Sequence, residues 1–152
     1  GDIEFDFFDW ELKLVLNDKN LNFKKNPSEM SPQNLAFVGD AVFELVVRSK
    51  IVLKHVGNIG ELNKIKVSHV CSGAQSDLFE KIKDMLTTEE LEIYKRGRNA
   101  HISKAPKKAS PVVYHRATGI EALFGFLYLR GDFPRLQEIS EEICLWNNTI
   151  NA

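Results

Sequence analysis

The sequence has few of the features that mark secreted, thiolate-metal or membrane proteins. It holds two cysteines, Cys71 and Cys144, and neither has another cysteine or a histidine pair at metal-ligand spacing. Two isolated thiols are typical of a reducing compartment, so we expect a cytoplasmic protein. No apolar run approaches the roughly 18 residues that a membrane span needs. The acidic, aromatic start of the chain resembles neither a signal peptide nor a transit peptide.

Acidic residues are missing from one long stretch, although the formal net charge of the chain is -1. Between Ile93 and Ile120 there is no Asp or Glu. A local cationic surface binds phosphates even when the whole molecule is nearly neutral. The Lys and Arg residues of this stretch have few aromatic residues among them, so we expect contacts to duplex phosphates rather than stacking on bases. The predicted RNA contacts are Lys95, Arg96, Arg98, Asn99, Lys104, Lys107, Lys108, His115 and Arg116. The alternative is an ordinary solvated charged face.

Helical periodicity dominates the chain, and no convincing alternating strand interrupts it. The length of 152 residues suits one folded domain, which we place at residues 30–152 after an acidic and aromatic extension, residues 1–29. The fold class predicted is all-α. The expected helices lie at about residues 1–20, 32–55, 61–84, 88–96, 112–130 and 133–146.

Local signals predict where several of these helices begin and end. Ser31 with Pro32 suits a helix start, and Thr87 with Glu90 forms a capping box. Gly97 is predicted to close the fourth helix and Gly131 the fifth, with Asp132 capping the last. Residues 98–111 are predicted to form an exposed loop.

Two carboxylates lie within strongly apolar helical runs. Asp40 is flanked by apolar residues in the run 34–44, and Glu121 lies in the run 120–126. A buried carboxylate is costly unless a cation or a donor meets it, so both are candidates for a functional site. Small neighbours, among them Gly39 and Gly125, would let two helices cross closely and bring both carboxylates to one Mg²⁺. The alternative is that each is tied to a neighbouring cation or backbone group.

Glu44 is a third carboxylate on the same helix face as Asp40, one turn later. It is a candidate metal ligand or a residue that orients a bound water. The alternative is a helix ion pair with Arg48, which lies four residues further on in the favourable order.

The runs Pro32-Gln33-Asn34-Leu35-Ala36-Phe37-Val38-Gly39-Asp40-Ala41-Val42-Phe43-Glu44 and Thr118-Gly119-Ile120-Glu121-Ala122-Leu123-Phe124-Gly125 resemble the two catalytic segments of ribonuclease III. The stretch from Leu62 to Gln75 and the run 96–100 resemble Mini-ribonuclease III, the form without a separate double-stranded-RNA-binding domain. The resemblance extends over roughly residues 30–147.

The resemblance implies a homodimer of all-α catalytic domains that cleaves double-stranded RNA with Mg²⁺. It assigns the catalytic aspartate to Asp40, the catalytic glutamate to Glu121, and the aromatic residue that packs into the partner subunit to Phe37. The products would carry 5′-phosphate and 3′-hydroxyl ends. It further implies trimming of precursor large-subunit (23S) ribosomal RNA with the help of a ribosomal protein.

Two positions depart from full-length ribonuclease III. That family has a Glu where this chain has Ala36 and an Asp where it has Thr118. Mini-ribonuclease III departs in the same way, so activity is expected, with Glu44, Thr118 or waters completing the metal site. The missing carboxylates also motivate a second hypothesis, a catalytically inert RNA-binding scaffold. A third is a helical adaptor that uses the aromatic residues near the start of the chain.

Overall fold

A computed structural model describes residues 26–54, 57–70, 72–100 and 110–143. In these ranges the secondary structure is helical, without strands, which confirms the all-α prediction. The α-helices are α1 (Pro32–Lys54), α2 (Ile59–Val70), α3 (Ser72–Ile82), α4 (Thr88–Arg98), α5 (Pro111–Arg130) and α6 (Phe133–Glu141). The predicted helix over residues 1–20 lies outside the described residues.

Most of the predicted helix ends are confirmed by hydrogen bonds at the caps. Ser31 Oγ accepts from a backbone N–H of the first turn of α1 at 3.2 Å. The capping box is complete, because Glu90 Oε1 accepts from Thr87 N at 2.8 Å and Thr87 Oγ1 accepts from Glu90 N at 3.2 Å. Gly131 ends α5 with φ 76°, and the Asp132 side chain caps α6. These motifs act over three or four residues, so sequence alone was sufficient to find them.

Two helix predictions were wrong. The range predicted as one helix over 61–84 contains two helices, α2 and α3. A short 3-10 turn at Lys83–Met85 follows α3. Gly97 does not close α4, because the helix continues to Arg98 and Gly97 has no positive φ. A Cβ on Gly97 would lie 2.7 Å from Ala122 Cβ and 3.0 Å from Gly119 Cα. The glycine is therefore required for close packing of α4 on α5 rather than for a turn.

The centre of the fold is α5, which is buried by α1, α3 and α4 packed around it. Every residue from Ala117 to Leu127 except Glu121 is buried. A helix that is apolar on all sides belongs in the middle of a helical domain. In the core beside it the Phe43 and Phe124 rings meet edge to face at 5.2 Å. Among the described residues, no helix is both long and apolar enough to span a membrane.

A buried ion pair joins α4 to α6. Arg135 Nε and Nη2 each donate to a Glu90 carboxylate oxygen at 2.8 Å, and Nη2 also donates to the Met85 carbonyl at 2.6 Å. Glu90 is only 1% exposed, so this bidentate pair supplies the counter-charge that the buried carboxylate requires.

Candidate active site

Helices α1 and α5 touch through their backbones where the two catalytic candidates lie. A Cβ on Gly39 would overlap the carbonyl oxygen of Glu121, and a Cβ on Gly125 would overlap the carbonyl oxygen of Leu35. Each glycine thus leaves the space that the other helix occupies. The crossing brings Asp40, the residue after Gly39, beside Glu121.

Asp40 is exposed, so the expectation that it is buried was wrong. The buried stripe of α1 passes through Leu35 and Val42, whereas Asp40 shares the exposed side with Phe37 and Ala41. Apolar neighbours along the sequence therefore did not mean an apolar surrounding in space. An exposed carboxylate at a helix crossing is accessible to a solvent-borne cation or to substrate.

Glu121 is half-buried, and its surroundings disfavour its ionised form. Burial, and after it the negative charge of Asp40, raises the pKa of Glu121 from 4.5 to about 7, while a hydrogen bond with the Gln75 side chain acts in the opposite direction. A carboxylate pair of this kind is typical of sites that receive a cation or a proton. Among the described residues no group of three or more His, Cys, Asp or Glu side chains is arranged to hold a metal. Asp40 and Glu121 are a pair of carboxylates whose charges act on each other at this crossing.

Glu44 is engaged in ion pairs in this structure. Arg48 Nε donates to Glu44 Oε1 at 3.0 Å and Arg48 Nη2 at 2.5 Å, and Lys66 Nζ on α2 lies 3.5 Å from the same oxygen. The Arg48 hydrogen bond is the largest influence on Glu44 and holds the pKa of this carboxyl below its usual value. The arrangement matches the ion-pair alternative, with Lys66 as a second cation that the sequence did not indicate.

The two positions that depart from full-length ribonuclease III are both buried. Ala36 is 7% exposed and lies in the apolar core. Thr118 is 4% exposed, and its hydroxyl donates to the Tyr114 carbonyl of its own helix at 3.0 Å. The Thr118 hydroxyl proton is therefore engaged within α5. The hydroxyl oxygen keeps its lone pairs and can act as an acceptor.

The predicted RNA contacts divide into three sets. Arg98, Asn99, His115 and Arg116 line one open pocket of about 540 Å³ between the end of α4 and the start of α5. Lys95, Arg96 and Asn99 line a neighbouring depression of about 590 Å³. Lys104, Lys107 and Lys108 lie outside the described residues.

Several of these cations also have partners within the protein. Arg96 donates to the Ser28 and Met30 carbonyls, both at 2.7 Å, and so fixes the segment that precedes α1. Arg116 Nη1 lies 3.0 Å from Glu80 Oε1. These two bonds use two of the five N–H donors of Arg96 and fix the position of its guanidinium.

The pocket of about 540 Å³ is lined by several hydrogen-bond donors, and the buried Tyr94 lies beside it. Arg98 Nε donates to Asn99 Oδ1 at 3.2 Å, and the Arg98 guanidinium lies 5.9 Å from the centre of the Tyr94 ring. His115 Nδ1 and the Tyr94 hydroxyl are both buried and have no hydrogen-bond partner in the described part of the chain. Two guanidiniums, an imidazole and an amide around one opening suit an anion with several acceptor oxygens.

Phe37 is 83% exposed on α1, and Leu45 and Val52 on the same helix are 65% and 64% exposed. Phe37, Ala41 and Leu45 are spaced four residues apart and share one helix face. Large apolar side chains in such a row are typical of a surface that another protein covers.

Comparison with known proteins agrees with the all-α fold. The family model for the ribonuclease III domain matches residues 33–132. Mini-ribonuclease 3 of Thermoanaerobacter sp. (strain X514) is 41% identical over 126 residues, which cover 83% of this chain and 89% of the relative. Mini-ribonuclease 3 of Symbiobacterium thermophilum is 37% identical over 114 residues, covering 75% of this chain and 88% of the relative.

A solved structure has a similar fold. The crystal structure of a protein from Fusobacterium nucleatum is 34% identical and has a TM-score of 0.69, covering 74% of this chain and 90% of that one. The class defined by the matched domain is therefore an endoribonuclease of the ribonuclease III type. Within that class, the chain belongs to the Mini-ribonuclease 3 family. An enzyme, rather than an inert scaffold or an adaptor, is what the comparisons support.

Sequence reasoning missed two side chains of the site. The Gln75 side chain on α3 lowers the pKa of Glu121, and Lys66 Nζ on α2 lies 3.5 Å from Glu44 Oε1. Gln75 lies one turn before Leu78 in the buried stripe of its helix, and a polar residue in that stripe was the available signal.

Proposed function

We propose that the enzyme cuts double-stranded RNA with the help of Mg²⁺ held by Asp40 and Glu121. The observation that supports this most strongly is the carboxylate pair at the α1–α5 crossing, where burial and Asp40 raise the pKa of Glu121 to about 7. Two carboxylates that repel each other accept a hard divalent cation readily, because the cation neutralises both. When bound, Mg²⁺ would supply charge stabilisation for the scissile phosphate and would make the attacking water more acidic.

The residues of the chain have separate parts in this reaction. Asp40 is exposed and would bind the cation from the solvent side. Glu121 is half-buried and would bind the same cation from the side of the protein interior. Glu121 must be ionised to act as a ligand, so protons and Mg²⁺ compete for it, and the affinity for Mg²⁺ should fall as the pH drops below about 7. Hydrolysis adds water at phosphorus and breaks the bond to the 3′ oxygen, leaving a 5′-phosphate and a 3′-hydroxyl.

The cationic pocket is proposed to hold the RNA backbone. Arg98, Asn99, His115 and Arg116 converge there, and Lys95 lies in the adjacent depression. Lys104, Lys107 and Lys108 are proposed to extend the same contact. Binding through phosphates depends on salt and carries little sequence information, so RNA shape or a helper protein would supply selectivity.

A homodimer is proposed to form through the exposed face of α1. The exposure of Phe37 and Leu45 supports this, since a row of large apolar residues is costly in water. Each subunit would then cut one strand of the duplex. Replacing Phe37 by Ser should convert the dimer to a monomer in light scattering, and Leu53→Ser is a matched control. Leu53 is equally exposed at 84%, and at sixteen residues after Phe37 it lies about 160° away from Phe37 around the axis of α1. A dimer that survives in Phe37→Ser would refute this interface.

The natural substrate is proposed to be precursor 23S ribosomal RNA. Membership of the Mini-ribonuclease 3 family supports this, through the trimming role that the resemblance implies. A ribosomal protein as helper belongs to the same proposal. Cleavage of a duplex fragment that spans the end of the mature RNA, compared with a duplex of scrambled sequence, would test it.

The central experiment compares cleavage of a duplex RNA with that of a matched single strand, in Mg²⁺ and in EDTA. We expect the wild-type enzyme to cut the duplex but not the single strand, and to do so in Mg²⁺ but not in EDTA. The Asp40→Asn variant should cut neither RNA. Binding of the duplex by this variant should remain, because the cationic pocket is untouched. Asp77→Asn, an exposed change on α3, is the control. Cleavage by Asp40→Asn at the wild-type rate would overturn the proposed role of Asp40.

A further inference from the structure

Glu80 is an exposed carboxylate near the end of α3 that lies between two cations. Its Oε1 atom lies 3.0 Å from Arg116 Nη1, and its Oε2 atom accepts a hydrogen bond from Lys83 Nζ at 2.9 Å. Arg116 belongs to the cationic pocket, whereas Lys83 lies on the 3-10 turn that follows α3. The carboxylate therefore links the pocket to a lysine that the proposed RNA contacts do not include.

The two oxygens of Glu80 hold these cations in the way that a phosphate group would. A phosphodiester presents two charged oxygens, and each accepts hydrogen bonds from Arg or Lys. The pKa of Glu80 is held below its usual value, by Lys83 first and then by Arg116, so the carboxylate stays ionised. Lys83 and Arg116 repel each other. An anion between these two cations is therefore favourable in the free protein, and a phosphate would serve the same purpose in a complex.

The ion pairs of Glu80 are exposed enough for RNA to replace them. The side chain of Arg116 is 35% exposed, and those of Lys83 and Glu80 are each 45% exposed. Ion pairs at such positions contribute little free energy in water, so contacts to phosphate easily offset their loss. Because an arginine can donate two parallel hydrogen bonds to a phosphate, the exchange at Arg116 favours RNA.

Arg116 does not depend on Glu80 alone for its position. Its guanidinium carbon lies 6.0 Å from the centre of the Phe79 ring, which stacks on the Tyr94 ring at 3.9 Å with the two planes 5° apart. Tyr94 is fully buried, so the ring pair supports Arg116 from the core. Removal of the Glu80 charge should therefore leave Arg116 in place and make its donors available to RNA.

We propose that Glu80 is an internal substitute for an RNA phosphate, which holds Arg116 and Lys83 in the free enzyme and is displaced by the RNA backbone in the complex. Lys83 is then a further RNA contact, and the cationic surface extends from the pocket onto the end of α3. Glu80 lowers the affinity for RNA, because a duplex must displace it before Arg116 and Lys83 can bind phosphates. This inference rests on the proposed function of the cationic pocket in RNA binding.

The test measures binding of a fluorescently labelled duplex RNA in EDTA, by anisotropy, over a range of salt concentrations. The variants are Glu80→Gln, which keeps the size of the side chain and removes its charge, and Lys83→Ala. The matched controls are Asp84→Asn and Lys81→Ala, which remove a neighbouring exposed charge of the same sign as Glu80 and Lys83 respectively. Glu80→Gln is also combined with Arg116→Ala and Lys83→Ala in a triple variant. Melting temperatures show whether each variant is folded.

We expect Glu80→Gln to bind the duplex about 2–5-fold more tightly at low salt, because no exposed ion pair has to be broken first. Its affinity should also fall more steeply with salt than that of the wild type, since salt no longer weakens an internal competitor. Lys83→Ala should bind more weakly, with a salt slope lower by about 1. The Asp84→Asn and Lys81→Ala controls should have smaller effects.

The triple variant distinguishes displacement from simple repulsion. With Arg116 and Lys83 both replaced by Ala, Glu80→Gln should no longer raise the affinity. An equal gain in that background would overturn the inference, because Glu80 would then act by repelling RNA directly. Unchanged affinity in Glu80→Gln, or equal losses in Lys83→Ala and Lys81→Ala, would overturn it as well. If the wild-type protein binds no duplex, or Arg116→Ala binds as tightly as the wild type, the proposed RNA-binding function of the pocket fails instead.

Discussion

Replacing Glu121 by Gln should stabilise the metal-free protein at high pH while abolishing cleavage. The pKa of Glu121 is raised from 4.5 to about 7, first by burial and then by Asp40. At about 1.4 kcal/mol per pH unit, that difference corresponds to roughly 3 kcal/mol. Above pH 7 the ionised Glu121 therefore destabilises the folded state, relative to a neutral residue, by up to about this amount.

The direction in which stability changes with pH follows from proton binding to Glu121. Between pH 4.5 and 7 the folded protein holds a proton on Glu121 that the unfolded chain has released. Stability contributed by this group is fully present below pH 4.5 and is lost as the pH rises through 7. The advantage of Glu121→Gln over the wild type should thus be near its maximum at pH 8 and small at pH 5.

Urea denaturation in EDTA, at equal protein concentrations and at both pH values, measures the effect directly. Glu141→Gln, an exposed change at the end of α6, is the control and should be neutral at both. Addition of Mg²⁺ at pH 8 should stabilise the wild type and not the Glu121→Gln variant. Equal effects of Glu121→Gln on stability at pH 5 and pH 8 would refute the electrostatic account of this site.

Three further changes test packing, the buried ion pair and phosphate binding. Gly125→Ala should cost about 1–3 kcal/mol or more in urea denaturation, because a methyl group there overlaps the backbone of α1. Gly60→Ala, whose methyl group would meet the Asn58 side-chain oxygen at 3.3 Å, should have a smaller effect, and equal effects would contradict the close crossing. Arg135→Leu should cost about 3–5 kcal/mol by leaving buried Glu90 without its cation, and a loss below about 1 kcal/mol would argue against that pair. Arg116→Ala should weaken duplex binding and lower the slope of its logarithm against log salt by about 1, and an unchanged slope would remove Arg116 from the contact.

The parts of the fold that sequence predicted well are those decided within one turn of helix. Thr87 finds its partner Glu90 three residues away, and Gly131 needs no partner to adopt a positive φ. Gly97 resembles Gly131 in sequence, since each follows an arginine at a predicted helix end. The close approach of Ala122 and Gly119 across the α4–α5 contact gives Gly97 its packing role, and this approach cannot be read from the local sequence.

The site shows the same division between local and tertiary information. Asp40 and Glu121 were identified as a pair, because small residues beside each indicated that their helices could meet. The exposure of Asp40 was not predictable, since it depends on which face of α1 packs against α5. Gln75 is separated from Glu121 by more than forty positions along the chain, and periodicity carries no information about such a contact.

The glycine crossing of α1 and α5 has a consequence for how the enzyme tolerates sequence change. The two carboxylates are spaced by main chain resting on main chain, with no side chain between the helices at that point. Trimming a core residue such as Phe124 would loosen the domain and lower its melting temperature, yet it would leave this spacer in place. Stability and catalytic geometry therefore depend on different atoms, and the interior can drift in sequence while the separation of Asp40 and Glu121 is preserved.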